Sequence, residues 1–420
     1  SLSNRSKFRG AALFFVHPTA SLHQNHPPQH RYNRERALPQ LAVTATPQIG
    51  IIGGGQLAWM LAPAAQRLGY RLAIQTPSPD DPAVAVADTV LLAAIDDSQA
   101  TARLADQCQW LSFENEFIDL PGLQPLVDQG AIFRPSLAAI APLLDKYDQR
   151  TCLKRLGLPV PDFVLLEDWD RPPPFGFPAV LKARRHGYDG QGTFIVPDQV
   201  AWRALGDRLQ HPALLAEAFI PFERELAVLA ARGLQGDMVV YPVVETQQEH
   251  QVCRRVFAPA AITPTQAETI RAIAQDLLTG LDYVGLLGIE LFCTASGALL
   301  VNEVAPRAHN SGHYSLEACT VSQFAMQVYA VTGQALPPVT MTCPRAVMVN
   351  LLGYESATSD YAAERARLAA QPRAQVYWYG KATARPGRKL GHVTLCLPEG
   401  ERAIAEAQAA LVEAIWQRQA

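Results

Sequence analysis

Residues 301–313 read VNEVAPRAHNSGH, and this stretch decides the fold. Its thirteen positions hold an amide (Asn302), an acid (Glu303), a guanidinium (Arg307) and two histidines (His309, His313). An ordinary core strand does not carry such a load. Residues 298–301 are apolar, so a strand delivers Asn302 and Glu303 to its end, and Pro306 then stops ladder donation. Asn310, Ser311 and Gly312 read as a turn.

Working outward, residues 284–293 (VGLLGIELFC) form a second apolar strand, with the hairpin turn at 294–297. Reflection about that turn sets Glu290 opposite Val301, with Glu303 as its diagonal neighbour on the same face. Two carboxylates that close must take up a proton or bind a cation. At a phosphate-handling site, oxygen ligands suit Mg²⁺. The alternative is a pair of solvated edge-strand acids. Apolar flanks and the adjacent Asn302 favour a metal held by Glu290 and Glu303.

A length of 420 residues implies two or three domains. With 49% hydrophobic and 18% charged residues the chain has material for a real core and is not mainly disordered. A net charge of −3 gives no general attraction to nucleic acid or anionic membrane. No apolar run reaches bilayer-spanning length. Seven cysteines without a CxxC pair suggest reduced thiols and a cytoplasmic setting. Residues 1–46 differ from the rest. They carry Arg5, Lys7, Arg9, Arg31, Arg34 and Arg36 against Glu35, which fits either a disordered extension or an organellar targeting segment.

Residues 48–52 form a short strand that runs into Gly53-Gly54-Gly55-Gln56-Leu57. A helical pattern follows through Leu68, closed by Gly69, and then a strand at 70–75. Free amides at a helix N-terminus favour an anion. Gly53, Gly55 and Ala58 satisfy a loose dinucleotide fingerprint, yet the second strand ends in Gln75 where a ribose-binding acid is expected. The loop therefore reads as a site for a phosphate group, not for NAD, or else as a tight turn that needs glycine. Residues 110–117 (WLSFENEF) place Glu114 and Glu116 on one side of an extended segment.

A helix over 145–156 is stopped by Gly157 and Pro159. The strand PAVLK at 178–182 leads into ARRHGYDGQGT at 183–193, a flexible basic loop able to cover phosphates beside the point charge of Lys182. Glu217 and Glu225 lie in apolar strand-like runs, where an acid needs a partner. A helix is expected over 314–332. Beyond Pro337 and Pro338 come strands at 345–352 and 375–379, then RKLGH at 388–392 before another strand, and an amphipathic helix over 401–417. Lys381, Arg388 and Lys389 form a basic tip suited to an anionic substrate.

Four motifs together resemble the 5-(carboxyamino)imidazole ribonucleotide synthases, ATP-grasp ligases of purine biosynthesis. They are GGGQL at Gly53, GYDGQG at Gly187, NEVAPRAHNSGH at Asn302 and RKLGH at Arg388, and the likeness spans residues 47–411. The resemblance implies an α/β fold in parts: an extension at 1–46, a Rossmann-like domain at 47–142, an ATP-grasp module at 143–337 and a small C-terminal domain at 338–420, in a homodimer. It implies that ATP, Mg²⁺ (or Mn²⁺) and bicarbonate give carboxyphosphate. The exocyclic amine of 5-aminoimidazole ribonucleotide is then carboxylated, releasing ADP and phosphate.

By the same resemblance Lys146 and Lys182 contact nucleotide. Gly187, Tyr188, Asp189, Gly190, Gln191, Gly192 and Thr193 cover its phosphates, and Glu217, Ala218, Phe219 and Ile220 line the adenine and hinge region. Glu225 holds the ribose, Gln248 stands where a histidine is expected, and Asn302 and Glu303 complete the ATP site. Gly55, Gln56 and Leu57 cradle the ribonucleotide phosphate, with Glu114, Glu116, Tyr188, Lys381 and Arg388 around the rest of that substrate. Asp189 orients the amine or takes its proton, Lys381 steadies the transferred carboxylate, and Arg307 and His309 stand at the reacting centre. The chain departs from the family pattern at Ala58, Trp59, Asn115, Phe117, Thr193 and Gln248.

Other ATP-grasp ligases would keep Lys182 and the acid pair but lack RKLGH. A nicotinamide oxidoreductase is opposed by Gln75, and against a non-catalytic domain that binds nucleotide as a regulator, an enzyme should lose its turnover in Glu303→Gln.

Overall fold

The computed structural model describes residues 13–14, 46–185, 192–209 and 213–417. The expectation for 1–46 lies outside the described residues, apart from Thr46 and a two-residue strand, Leu13–Phe14, that pairs with Thr89–Leu92. The loop residues Gly187, Tyr188, Asp189, Gly190 and Gln191 lie outside them as well.

Three sheets organise the rest. In the first, parallel strands run in the order Thr89–Leu92, Arg71–Thr76, Gln48–Ile52, Trp110–Phe113. Every residue of Gln48–Ile52 is buried, as expected of a parallel strand covered on both faces. Gly53 ends that strand at φ +126°, and a Cβ there would lie 2.5 Å from Glu114, so only glycine makes this turn. The second sheet has four antiparallel strands in the order Phe163–Leu166, Leu214–Ala218, Ala179–Ala183, Thr193–Val196.

The third is nine-stranded and starts at the hairpin: Leu299–Ala305, Gly285–Thr294, Phe222–Arg232, Val244–Glu249, Val252–Ala258. It continues without a break through Arg345–Leu352, Lys389–Leu397 and Ala374–Trp378, while Met238–Val240 pairs on Phe222–Arg232. Strand Phe222–Arg232 shows why its run is apolar. Leu226, Val228 and Ala230 pack beneath helix Pro264–Gly280, whereas Ala227, Leu229 and Ala231 face helix Gln323–Thr332. A capping box of Thr263 and Gln266 starts the first of these helices, and Ser322 caps the second through the Ala325 amide.

The structure corrects several local expectations. Strand Leu299–Ala305 carries a bulge: Leu291 pairs with Val301 but Glu290 pairs with Glu303, leaving Asn302 as the extra residue. Glu290 and Glu303 are therefore direct partners, not diagonal ones. The helix expected over 314–332 is two, Ser315–Ala318 and Gln323–Thr332, because Cys319 turns extended and bridges to Met341. The extended segment at 110–117 stops at Phe113, and residues 114–116 bend. RKLGH is mostly inside its strand, which starts at Lys389, and helix Ala362–Ala369 was not anticipated. Among the described residues, no helix is long and apolar enough to cross a membrane.

Candidate active site

The three sheets enclose one side each of a cleft of about 920 Å³. At its centre is the hairpin pair. Asn302 Nδ2 donates to Glu290 Oε2 (3.4 Å), His309 Nε2 lies 3.4 Å from Glu290 Oε1, and Lys146 Nζ sits 2.6 Å from Glu303 Oε1. Burial and the facing Glu303 push the Glu290 carboxyl up to about 7. Burial acts the same way on Glu303, but the Lys146 ammonium holds that carboxyl below the ordinary range. Glu225 is likewise raised to about 7 by burial and by Glu290. Among the described residues no set of three or more His, Cys, Asp or Glu forms a metal cage. Two facing carboxylates suit an ion such as Mg²⁺ that takes its other ligands from water and substrate phosphates, so the donor set fits.

Beside the pair lies a buried cation cluster. Arg150 Nε is 2.5 Å from Glu217 Oε1, and Lys182 Nζ is 2.8 Å from Glu217 Oε2 and 3.0 Å from Asn302 Oδ1. Arg150 also donates to the carbonyls of Val301 and Asn302, tying the bulge to helix Lys146–Arg155. Burial pulls the Lys182 ammonium below its ordinary range, and Glu217 opposes that shift. Against burial, Lys182 and Arg150 hold the Glu217 carboxyl down to about 2. The Glu217 carboxylate is committed to this cluster, and Glu217 lines the cleft beside it. Its neighbours Ala218, Phe219 and Ile220 do line the cleft, with Glu225, Gln248 and Thr193. Sequence reading missed Arg150. The available signal was Glu217 itself, an acid in an apolar run that required a cation.

At the other end Glu114 and Glu116 part company. Glu114 accepts from the amides of Gly55 (2.6 Å), Leu57 (2.9 Å) and Ala58 (3.2 Å), and burial still pushes its carboxyl up. Gly55 and Leu57 are two of the three residues expected to cradle a substrate phosphate, and here their amides donate to a carboxylate of the chain. Free amides at a helix N-terminus attract a negative group, and Glu114 supplies one. Glu116 instead pairs with Arg307 at 3.0 Å. Gln56 Oε1 accepts from Lys381 Nζ at 2.7 Å, which joins the glycine turn to the last hairpin. Arg388 donates to Thr383 O (2.6 Å) and Oγ1 (2.7 Å), and it lines the cleft with Lys381 and Lys389. The structure therefore brings the described site residues other than Gly192 into one cleft. Gly187, Tyr188, Asp189, Gly190 and Gln191 are outside the described residues.

Comparison with known proteins matches three family models along the chain. These are the ribonucleotide synthetase preATP-grasp domain over 46–141, the ATP-grasp domain over 151–324, and the phosphoribosylaminoimidazole carboxylase C-terminal domain over 346–406. The chain is 54% identical over 382 residues to the N5-carboxyaminoimidazole ribonucleotide synthase of Synechocystis, covering 88% of this chain and 97% of that protein. It is 52% identical to the Synechococcus elongatus protein of the same name, covering 90% and 97%. Among solved structures it resembles N5-carboxyaminoimidazole synthase from Aspergillus clavatus, crystallised with ADP and 5-aminoimidazole ribonucleotide. The TM-score is 0.81 at 27% identity, covering 89% of this chain and 99% of that one.

Proposed function

The chain belongs to the N5-carboxyaminoimidazole ribonucleotide synthase family, and on that premise we propose how its cleft divides the work. The reaction is the ATP-dependent carboxylation of 5-aminoimidazole ribonucleotide to its N5-carboxy product in purine biosynthesis. Bicarbonate attacks the γ-phosphorus of ATP to give carboxyphosphate and ADP. The exocyclic amine then attacks the carboxyl carbon and releases phosphate.

The observation that carries this division is the facing Glu290–Glu303 pair, with Lys182 and Lys146 beside it. Glu290 and Glu303 would hold Mg²⁺, which would supply charge neutralisation for phosphoryl transfer. Lys182 donates to the phosphates as a point charge, kept in place by Glu217 and Asn302. Ala218, Phe219, Ile220, Glu225 and Gln248 line the nucleoside, and the glycine loop from Gly187 to Thr193 closes over the phosphates and excludes water from a labile acyl phosphate. Arg307 and His309 stand at the bicarbonate end. Asp189 orients the amine or takes its proton.

At the ribonucleotide end, Glu114 is anchored on the Gly55 and Leu57 amides, so Lys381 and Arg388 supply the positive charge that a substrate phosphate needs. Gln56, Glu116 and Tyr188 complete this end, and Lys381 also steadies the carboxylate in transit. The working form is a cytoplasmic homodimer.

The test is phosphate release from Mg²⁺–ATP in bicarbonate buffer with and without 5-aminoimidazole ribonucleotide. Strong stimulation by the ribonucleotide is expected. No stimulation in a folded, ATP-binding protein would overturn the assignment of the acceptor.

A further inference from the structure

Behind the cleft wall sits a fully buried glutamine, Gln323, the first residue of helix Gln323–Thr332. It lines no part of the cleft. Its side-chain amide grips the peptide of His309 from both sides: Oε1 accepts from His309 N–H (2.9 Å) and Nε2 donates to His309 C=O (2.9 Å). The main-chain partners are fixed in kind, so they fix which end of the amide is oxygen. The second N–H of Nε2 then points at His313 Nδ1, 2.8 Å away, which must accept. His313 is therefore a neutral imidazole with its proton on Nε2. Its complete burial, which drives it well below the ordinary histidine range, agrees. The fit is close: a Cβ on Gly312 would lie 2.6 Å from Gln323 Oε1.

The grip has a consequence at the His309 ring. Ser311 N–H donates to His309 Nδ1 (3.4 Å), and the Ser311 hydroxyl lies 2.9 Å from the same nitrogen. Nδ1 is thus an acceptor and the ring proton is on Nε2, which faces Glu290 Oε1 at 3.4 Å. The short helix Asn310–Gly312 that carries Ser311 begins at the very peptide that Gln323 holds.

We propose that Gln323 is a positioning residue for the carboxylation reaction. It fixes the His309 peptide and, through it, the tautomer and aim of the His309 ring toward Glu290. The role rests on the reading of His309 as part of the reacting centre, and its test has one readout that needs no turnover.

That readout is the ¹⁵N chemical shifts of the histidine rings. His309 should show the Nε2–H form in the wild type and a mixture of tautomers in Gln323→Met. An unchanged His309 tautomer in the variant would overturn the proposal whatever the activity. In kinetics, Gln323→Met should lower kcat about 10- to 100-fold, the scale of a small misplacement of a reacting group. KM for ATP should stay within about twofold, since uniform binding is untouched. In a His309→Ala background the same change should cost less than about twofold more, because residues acting through one another are not additive. Fully additive losses would mean that Gln323 acts elsewhere and would overturn the proposal. Should Gln323→Met fail to fold, Gln323→Glu keeps the shape and replaces the donor, and the same cycle applies to it. Wild-type kcat in either folded variant refutes the role. A wild type that shows the expected tautomer but no ribonucleotide-stimulated turnover would sink the functional reading while leaving the positioning geometry supported.

Discussion

Replacing Glu217 with glutamine removes the carboxylate that Arg150 and Lys182 share. The Arg150 and Glu217 side chains are each 3% exposed and that of Lys182 is 11% exposed, so water cannot take over the lost contacts. Against burial, Lys182 and Arg150 hold this carboxyl down to about 2, well below an ordinary carboxylate, so the fold favours its charged form. Breaking a buried ion pair by removing one partner costs about 3–5 kcal/mol in general. For a domain of this size about 3 kcal/mol corresponds to roughly 6–12 °C in Tm. Calorimetry or circular dichroism at pH 7 should show Glu217→Gln melting lower by that amount. The sign of the pH dependence follows from the depressed value. The contribution is whole above the unfolded pKa and is lost as pH falls from about 4.5 towards 2, so wild type and variant should converge over that window. A variant within about 2 °C of wild type at pH 7 would refute the reasoning and mean that the cluster relaxes or hydrates on mutation.

Three further outcomes follow from the site. Glu303→Gln should cut Mg²⁺–ATP-dependent phosphate release by roughly two orders of magnitude or more, the scale of losing a charge-stabilising group. Retained turnover would remove the acid pair from the metal role. Lys381→Ala should raise KM for the ribonucleotide about tenfold, as expected for one lost charged contact, with ATP binding unchanged. A fall in ATP affinity instead would move Lys381 to the other end of the cleft. Titration with NADH should give no saturable fluorescence change, because Gln75 is buried and bonded to Ala94 and Thr101 in place of a ribose-binding acid. Saturation would reopen the dinucleotide reading.

Much of the site could be read in the sequence because it is local. Glu290, Asn302 and Glu303 fall on one hairpin, and apolar patterning with a turn is enough to bring them together. Their exact register was not legible. A bulge inserts one residue without changing the polar pattern, and reflection about the turn cannot see it. Arg150 was missed for the opposite reason: its partner Glu217 is 67 residues away, and on its own helix it reads as an ordinary basic residue. Glu114 and Glu116 were read with strand periodicity, which holds only while the strand lasts, and the chain bends after Phe113. The break at Cys319 in the expected helix depended on a bridge to Met341, a contact no window of local sequence contains. The glycine turn at Gly53 is legible in its geometry, while the acceptor for its neighbouring amides is a carboxylate 59 residues beyond Gly55.

The unbroken nine-stranded sheet carries a cost at synthesis. Strand Val252–Ala258 has Arg345–Leu352 as its outer neighbour, and Phe257 there is paired with Val347. On a ribosome the first of these strands emerges nearly ninety residues before the second, so its outer edge waits unpaired with the buried Val256 and Phe257 uncovered. An open, apolar strand edge is a template for another chain. A nascent or truncated product ending before Arg345 should therefore be caught by chaperones or aggregate, although it holds every residue of the acid pair and the cation cluster.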